Sequence, residues 1–90
     1  MNVIKEVAGA LQKQSALKLR IEGHTDSTGE AAKNLDLSKR RAESVKGALV
    51  QLGIGAGRLT TEGFGQTKPM TPNDTPQGRA ENRRVEFVKI

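Results

Sequence analysis

Leu17-Lys18-Leu19-Arg20-Ile21-Glu22 alternates apolar and charged residues without a break, and Gly23-His24-Thr25-Asp26-Ser27-Thr28-Gly29-Glu30 follows directly. Strict period-two alternation predicts a half-buried strand, with Gly23 expected to close it where the small and polar residues turn the chain. Upstream, Val3, Ile4, Val7, Ala8 and Leu11 fall on one helical face, which predicts a surface helix over 3–14. Downstream, the helical period returns from about Ala32 to Leu52, and Gly53 stands where a helix stop belongs.

The remaining chain continues the alternation of element types. Arg58 to Phe64 predicts a second strand, between the glycine-rich Gly53-Ile54-Gly55-Ala56-Gly57 and a loop over residues 65–77 that holds all three prolines. Thr75-Pro76 is expected to be an N-cap followed by proline at the first helical position, opening a short helix through about Asn82. Arg84 to Ile90 predicts a last strand. The expected architecture is an α/β, or α+β sandwich, fold in the order α-β-α-β-α-β. Its small mixed sheet has helices packed on one face, and the whole of 1–90 forms a single domain.

Composition narrows the function classes. Ninety residues allow one domain, burying somewhat more than about 60% of the unfolded surface. With an apolar fraction of 34% and only two aromatics, Phe64 and Phe87, the core must come mostly from Leu, Val, Ile and Ala. Fifteen Lys and Arg against ten Asp and Glu give a net charge of +5, which favours an anionic partner. The absence of Trp and Tyr removes the stacking platform of a single-strand nucleic-acid binder, so no nucleic-acid partner is expected. No cysteine is present, which rules out disulfides and thiolate metal sites. No apolar run approaches the roughly 20 residues of a transmembrane helix, and Met1-Asn2-Val3-Ile4 begins no signal peptide. The chain starts directly inside a helical pattern, as a fragment of a longer exported protein would.

One residue of the long helix is out of place. With Leu37 at zero and about 100° per residue, Ala48 falls near 20°, Leu52 near 60°, Val45 near 80° and Leu49 near 120°. Arg41 falls at about 40°, inside this apolar stripe, whereas Arg40 lies outside it. A guanidinium directed inward must be paired or led out of one end. It either lays its stem on the core and snorkels, or holds its planar fork beneath a pocket for a carboxylate. Asp26 has two readings as well: a turn cap, or an acid at the strand end where α/β folds bind ligands.

A larger pattern joins the two. His24-Thr25-Asp26-Ser27, Asn34, Leu37-Ser38, Arg41-Ala42, Val45, Gly53-Ile54, Arg58-Leu59, Gly63-Phe64-Gly65, Pro69, Asn73 and Gly78 to Glu86 together resemble the OmpA-like peptidoglycan-associated domain over about residues 3–90. The resemblance implies non-covalent binding of bacterial peptidoglycan, with Asp26 and Arg41 holding the free end of diaminopimelate in the stem peptide. It also implies a place in the periplasm and cell envelope, on a parent protein attached to a membrane. The chemistry agrees: Asp26 supplies the anion for the ammonium, and Arg41 the fork for the carboxylate. A site needing both signs rejects a partner lacking either.

By the same resemblance Thr25, Asn34 and Arg83 belong to the binding site. Residue chemistry alone leaves Thr25 as ligand contact or loop shaper, and Asn34 as helix cap or ligand contact. The family often has an aromatic before this asparagine, where this chain has Lys33. His24 is the only histidine and is expected to be a hydrogen-bonded structural residue; no metal or other cofactor is expected. Gly63 to Lys68 lacks the phosphate-loop spacing. OmpA-like domains usually place one more strand before the first helix, so an unpaired sheet edge and a homodimer through it are expected. The competing functions are a basic module for nucleic acid or another anionic polymer, a dimerising scaffold without ligand binding, and a hydrolase using Asp26. The hydrolase has neither a second carboxylate nor a nucleophile–base pair to support it.

Overall fold

Leu19–His24 forms β1, the middle of a three-stranded sheet in the order β2-β1-β3. The computed structural model describes residues 2–90; Met1, part of the expected domain, lies outside the described residues. The elements are α1 (Asn2–Lys13), β1, α2 (Ala31–Gln51), a 3-10 turn (Ala56–Arg58), β2 (Leu59–Gly65), α3 (Pro76–Asn82) and β3 (Arg84–Lys89). β1 runs parallel to β2 and antiparallel to β3, so the sheet is mixed as expected.

The core lies between the sheet and the helices. Ala8 and Leu11 of α1, Ala42 and Leu49 of α2, Leu19 and Ile21 of β1, Leu59 of β2 and Ile54 form one buried cluster, with Phe87 packed against it. Neither phenylalanine is fully buried. Phe87 lines the core, whereas Phe64 stacks on His24 instead.

Three departures from the sequence reading have physical causes. Gly23 does not close β1; it pairs with Gly63 on one side and Val85 on the other, and the register breaks only after it. Its lack of a side chain serves packing, because a Cβ there would overlap the Ser38 carbonyl. At Gly63 a Cβ would overlap Lys39 and crowd the Ser38 hydroxyl. α2 therefore rests on the sheet at glycine distance.

The second departure follows from the first. The buried residues of α2 are Asn34, Ser38, Ala42 and Leu49, whereas Leu52 is exposed. The inward face is thus centred at about 100° from Leu37 on the same wheel, and Arg41 sits on its flank, half-buried. Small polar residues occupy the closest approach, which an apolar tally cannot register. Third, β1 is buried on nearly its whole length rather than half-buried, since guanidinium groups and Phe64 cover its second face.

Two polar anchors hold the connections. Arg58 donates from Nη2 to the carbonyls of Leu11 and Gln14, at 2.7 and 2.6 Å, and from Nε to Leu17 at 3.1 Å. It thereby closes the C-terminal end of α1, where helical carbonyls lack partners. Asn82, fully buried, accepts from the Met70 and Thr71 amides and donates to Thr71 O and Asn73 Oδ1. That side chain is the hub of the proline-containing loop, which Thr71, Arg79 and Arg84 also tie down through hydrogen bonds to the Gly78, Asn73 and Lys68 carbonyls. Thr75 caps α3 as expected, its hydroxyl accepting from the Gly78 amide at 3.0 Å.

Candidate functional site

β1 ends at His24 and delivers Thr25 and Asp26 to a corner between α2, β2 and β3. The Thr25 amide donates to the Gly65 carbonyl at 2.8 Å, so that amide is committed within the protein. The Thr25 hydroxyl donates to the Asp26 carbonyl at 2.9 Å. Asp26 is buried, 6% exposed, and both carboxylate oxygens have donors. Oδ1 accepts from the Thr28 amide at 2.9 Å, and Oδ2 from Arg83 Nη1 at 2.6 Å. The Thr28 backbone donor, reinforced by Arg83, holds this carboxyl below the usual carboxylate range against the opposing effect of burial. Asp26 is therefore a fixed, ionised anion, and its role as a turn cap coexists with its position at the strand end.

Asn34 neither caps α2 nor stands free. The N-cap position is Glu30, and Asn34 Nδ2 donates to the Thr28 carbonyl at 3.0 Å, to Gln66 Oε1 at 2.9 Å and, more weakly, to the Asp26 carbonyl at 3.4 Å. It ties the turn after β1 to the loop after β2. Ser38, fully buried, donates to the Leu35 carbonyl and accepts from the Gly65 amide at 2.9 Å, which sets α2 against the same corner.

Arg41 and Arg83 meet across a cleft of about 530 Å³ between α1, α2 and β3, whose walls include Ile4, Val45, Val85 and Phe87. Asp26 is not in its wall. Arg83 is the residue that belongs to both, touching Asp26 and lining the cleft with Arg41. Among the described residues no carboxylate lies within ion-pair distance of Arg41. The structure thus brings Asp26, Thr25, Asn34 and Arg83 into one hydrogen-bonded corner and sets Arg41 in the adjoining cleft, without a direct Asp26–Arg41 contact.

The expectation of a hydrogen-bonded His24 is corrected. The ring is buried, yet neither nitrogen has a hydrogen-bond partner among the described residues. It is held instead by stacking on Phe64, with centroids 5.3 Å apart and an interplanar angle of 18°. Sequence reasoning missed Gln66 and the Thr28 amide. An Asp two residues before a turn amide could have suggested the second; nothing in the sequence marks Gln66.

Comparison with known proteins places the chain in a family. The OmpA family model matches residues 1–83. The outer-membrane lipoprotein YfiB of Pseudomonas aeruginosa is 41% identical over 87 residues, covering 97% of this chain and 52% of that protein. The peptidoglycan-binding protein ArfA of Mycobacterium bovis is 40% identical over 86 residues, which are 96% of this chain and 26% of its own length. The crystal structure of the peptidoglycan-associated lipoprotein from Burkholderia pseudomallei matches with a TM-score of 0.94 at 30% identity, covering 99% of this chain and 75% of that one. The chain spans between 10% and 52% of the length of the first curated relatives it matches. No described helix is long and apolar enough to cross a membrane. On sequence and on fold alike, this chain belongs to the OmpA family.

Proposed function

We propose that the domain binds bacterial peptidoglycan non-covalently, through the diaminopimelate of the stem peptide, and anchors an envelope protein to the wall without a catalytic step. The reading rests most on Asp26: a buried carboxylate kept ionised at a strand end, joined through Arg83 to a cleft that Arg41 also lines. Asp26 takes the ammonium of diaminopimelate and Arg41 its carboxylate. Arg83 orients Asp26, and its remaining N–H groups add to the carboxylate side. Thr25 and Asn34 hold the corner in shape. Relatives named for peptidoglycan binding or association support the ligand class, and the envelope names among them support a periplasmic setting.

The test is retention on purified wall. Wild type, Asp26→Asn and Arg41→Ala are compared on diaminopimelate-type and lysine-type peptidoglycan, with folding checked by amide spectra. Asp26→Asn keeps an oxygen for the Thr28 amide, so its loss of binding reports charge rather than collapse. Retention of all three proteins on diaminopimelate-type wall, or equal retention of wild type on both walls, overturns the clamp.

The outer edge of β3 has no partner strand among the described residues. A homodimer through that edge is proposed alongside, and a monomer by sedimentation at high concentration removes it.

A further inference from the structure

The sheet face turned away from the helices carries an unusual charge arrangement. Register places Glu22 directly between Glu62 on β2 and Glu86 on β3, three carboxylates abreast, and places His24 beside Arg84. Like charges in cross-strand positions repel unless neutralised. Arg20 Nε lies 2.7 Å from Glu22 and 3.8 Å from Glu62, and Arg84 Nε lies 2.5 Å from Glu86. The imidazole of His24 is the unpaired member. It is 2% exposed, and its Nε2 stands 3.6 Å from Glu22 Oε1 and 3.7 Å from Glu86 Oε2, beyond hydrogen-bond length from both. Phe64 covers the ring, and the Lys68 ammonium sits 4.1 Å from the Phe64 centroid.

Such a ring has two stable conditions. Neutral, it packs as an aromatic disc. Protonated, it becomes a buried cation beside the guanidinium of Arg84, and it can gain a carboxylate only by shifting from under Phe64, toward the Glu22 Oε1 that Arg20 leaves free or toward the Glu86 Oε2 that Arg84 holds. The first strips the ring of its Phe64 contact, and the second also disturbs the start of β3, where Arg84 follows the Arg83 that holds Asp26.

We propose that His24 is an acid-operated latch on the binding corner: neutral and stacked beneath Phe64 it holds Thr25 and Asp26 in place, and on protonation it leaves that stack and frees the corner. The proposal rests on the peptidoglycan-binding reading for its consequence, which is release from the wall on acidification, but the latch itself stands on the fold. Burial, followed by the Arg84 charge, holds the imidazole below its ordinary value of 6.5 against the pull of Glu86 and Glu22. The open form is therefore the one that takes the proton. Each unit of pH below about 6.5 multiplies the open-to-closed ratio up to tenfold, until the closed form also protonates. Asp26, held below its own ordinary 3.8, remains ionised throughout this window.

The test follows the His24 ring and the Thr28 amide by NMR from pH 7.5 to 5, beside wall retention at both limits. The Thr28 amide reports the Asp26 hydrogen bond without needing any ligand. The expected result is that both resonances move with one midpoint below 6.5, and that wild type loses several-fold in retention at pH 5. His24→Phe, which keeps the stack and cannot titrate, should retain equally at both pH values. Phe64→Leu, which uncovers the ring, should raise the midpoint toward 6.5. A ring that titrates at or above 6.5, or one whose titration leaves the Thr28 amide still, overturns the latch. Failure of wild type to bind wall at pH 7.5 removes the clamp instead, while the two resonances still decide the latch.

Discussion

Arg83 places Nη1 2.6 Å from Oδ2 of Asp26, joining the residue just before the last strand to the turn after the first, 57 positions earlier. Asp26 is buried but Arg83 is about half exposed, so solvent screens the pair and Arg83 acts chiefly as an orienting contact. Arg83→Ala should cost less than about 1 kcal/mol in folding while weakening wall retention several-fold. Asp26→Ala also removes the acceptor for the Thr28 amide and should cost about 1–2 kcal/mol. Urea melts beside pull-downs separate the two effects; a stability loss in Arg83→Ala as large as that in Asp26→Ala contradicts the assignment.

Acid should act on folding in two steps. His24 has a depressed native pKa, so its contribution is complete above the unfolded value of about 6.5 and is lost as pH falls from there through the native one. Asp26, also depressed, contributes above its unfolded value of about 3.8 and is lost as pH falls below that. Denaturant midpoints should decline first as pH falls below about 6.5 and again as it falls below about 3.8. His24→Phe should flatten only the first decline.

The glycine contact between α2 and the sheet predicts a steep cost for a single methyl. In Gly23→Ala the new carbon meets the Ser38 carbonyl, a backbone atom that no rotamer change can move aside. The variant should lose about 3 kcal/mol or more by overpacking, or fail to fold. Ser38→Ala, which leaves the buried Gly65 amide without its acceptor, should lose about 1–3 kcal/mol. Thermal melting ranks them, and a neutral Gly23→Ala contradicts the close approach.

Asn82 makes four hydrogen bonds from a fully buried side chain. Asn82→Asp keeps the acceptor for Met70 and Thr71 and loses both donors. It should destabilise on the order of 2 kcal/mol and speed amide exchange in residues 70–73, with little change at Thr28.

Much of this was legible in the sequence because it is periodic. The alternation of Leu17 to Glu22 and the helical stripe of residues 32–52 announced β1 and α2, while the mixed sheet was only one of the arrangements compatible with the alternating order. Legibility failed where side-chain size, rather than polarity, decides packing. Asn34 and Ser38 are polar, yet they occupy the closest contact of α2 with the sheet, which turned the helix relative to the apolar count and moved Arg41 to the flank. Arg41 could be singled out by position alone. Asp26 could not, because a turn-capping aspartate and a ligand-holding one look alike in sequence. Its bond to Arg83 depends on a tertiary closure that no local pattern encodes.

β1 is hydrogen-bonded on both sides, and the corner that holds Asp26 grows from its end. A pull applied at Asp26 along the strand therefore loads two ladders in parallel. Rupture requires both to shear together, rather than one row of bonds to peel apart singly. Under the proposed anchoring role, the one strand bonded on both sides would carry the tether.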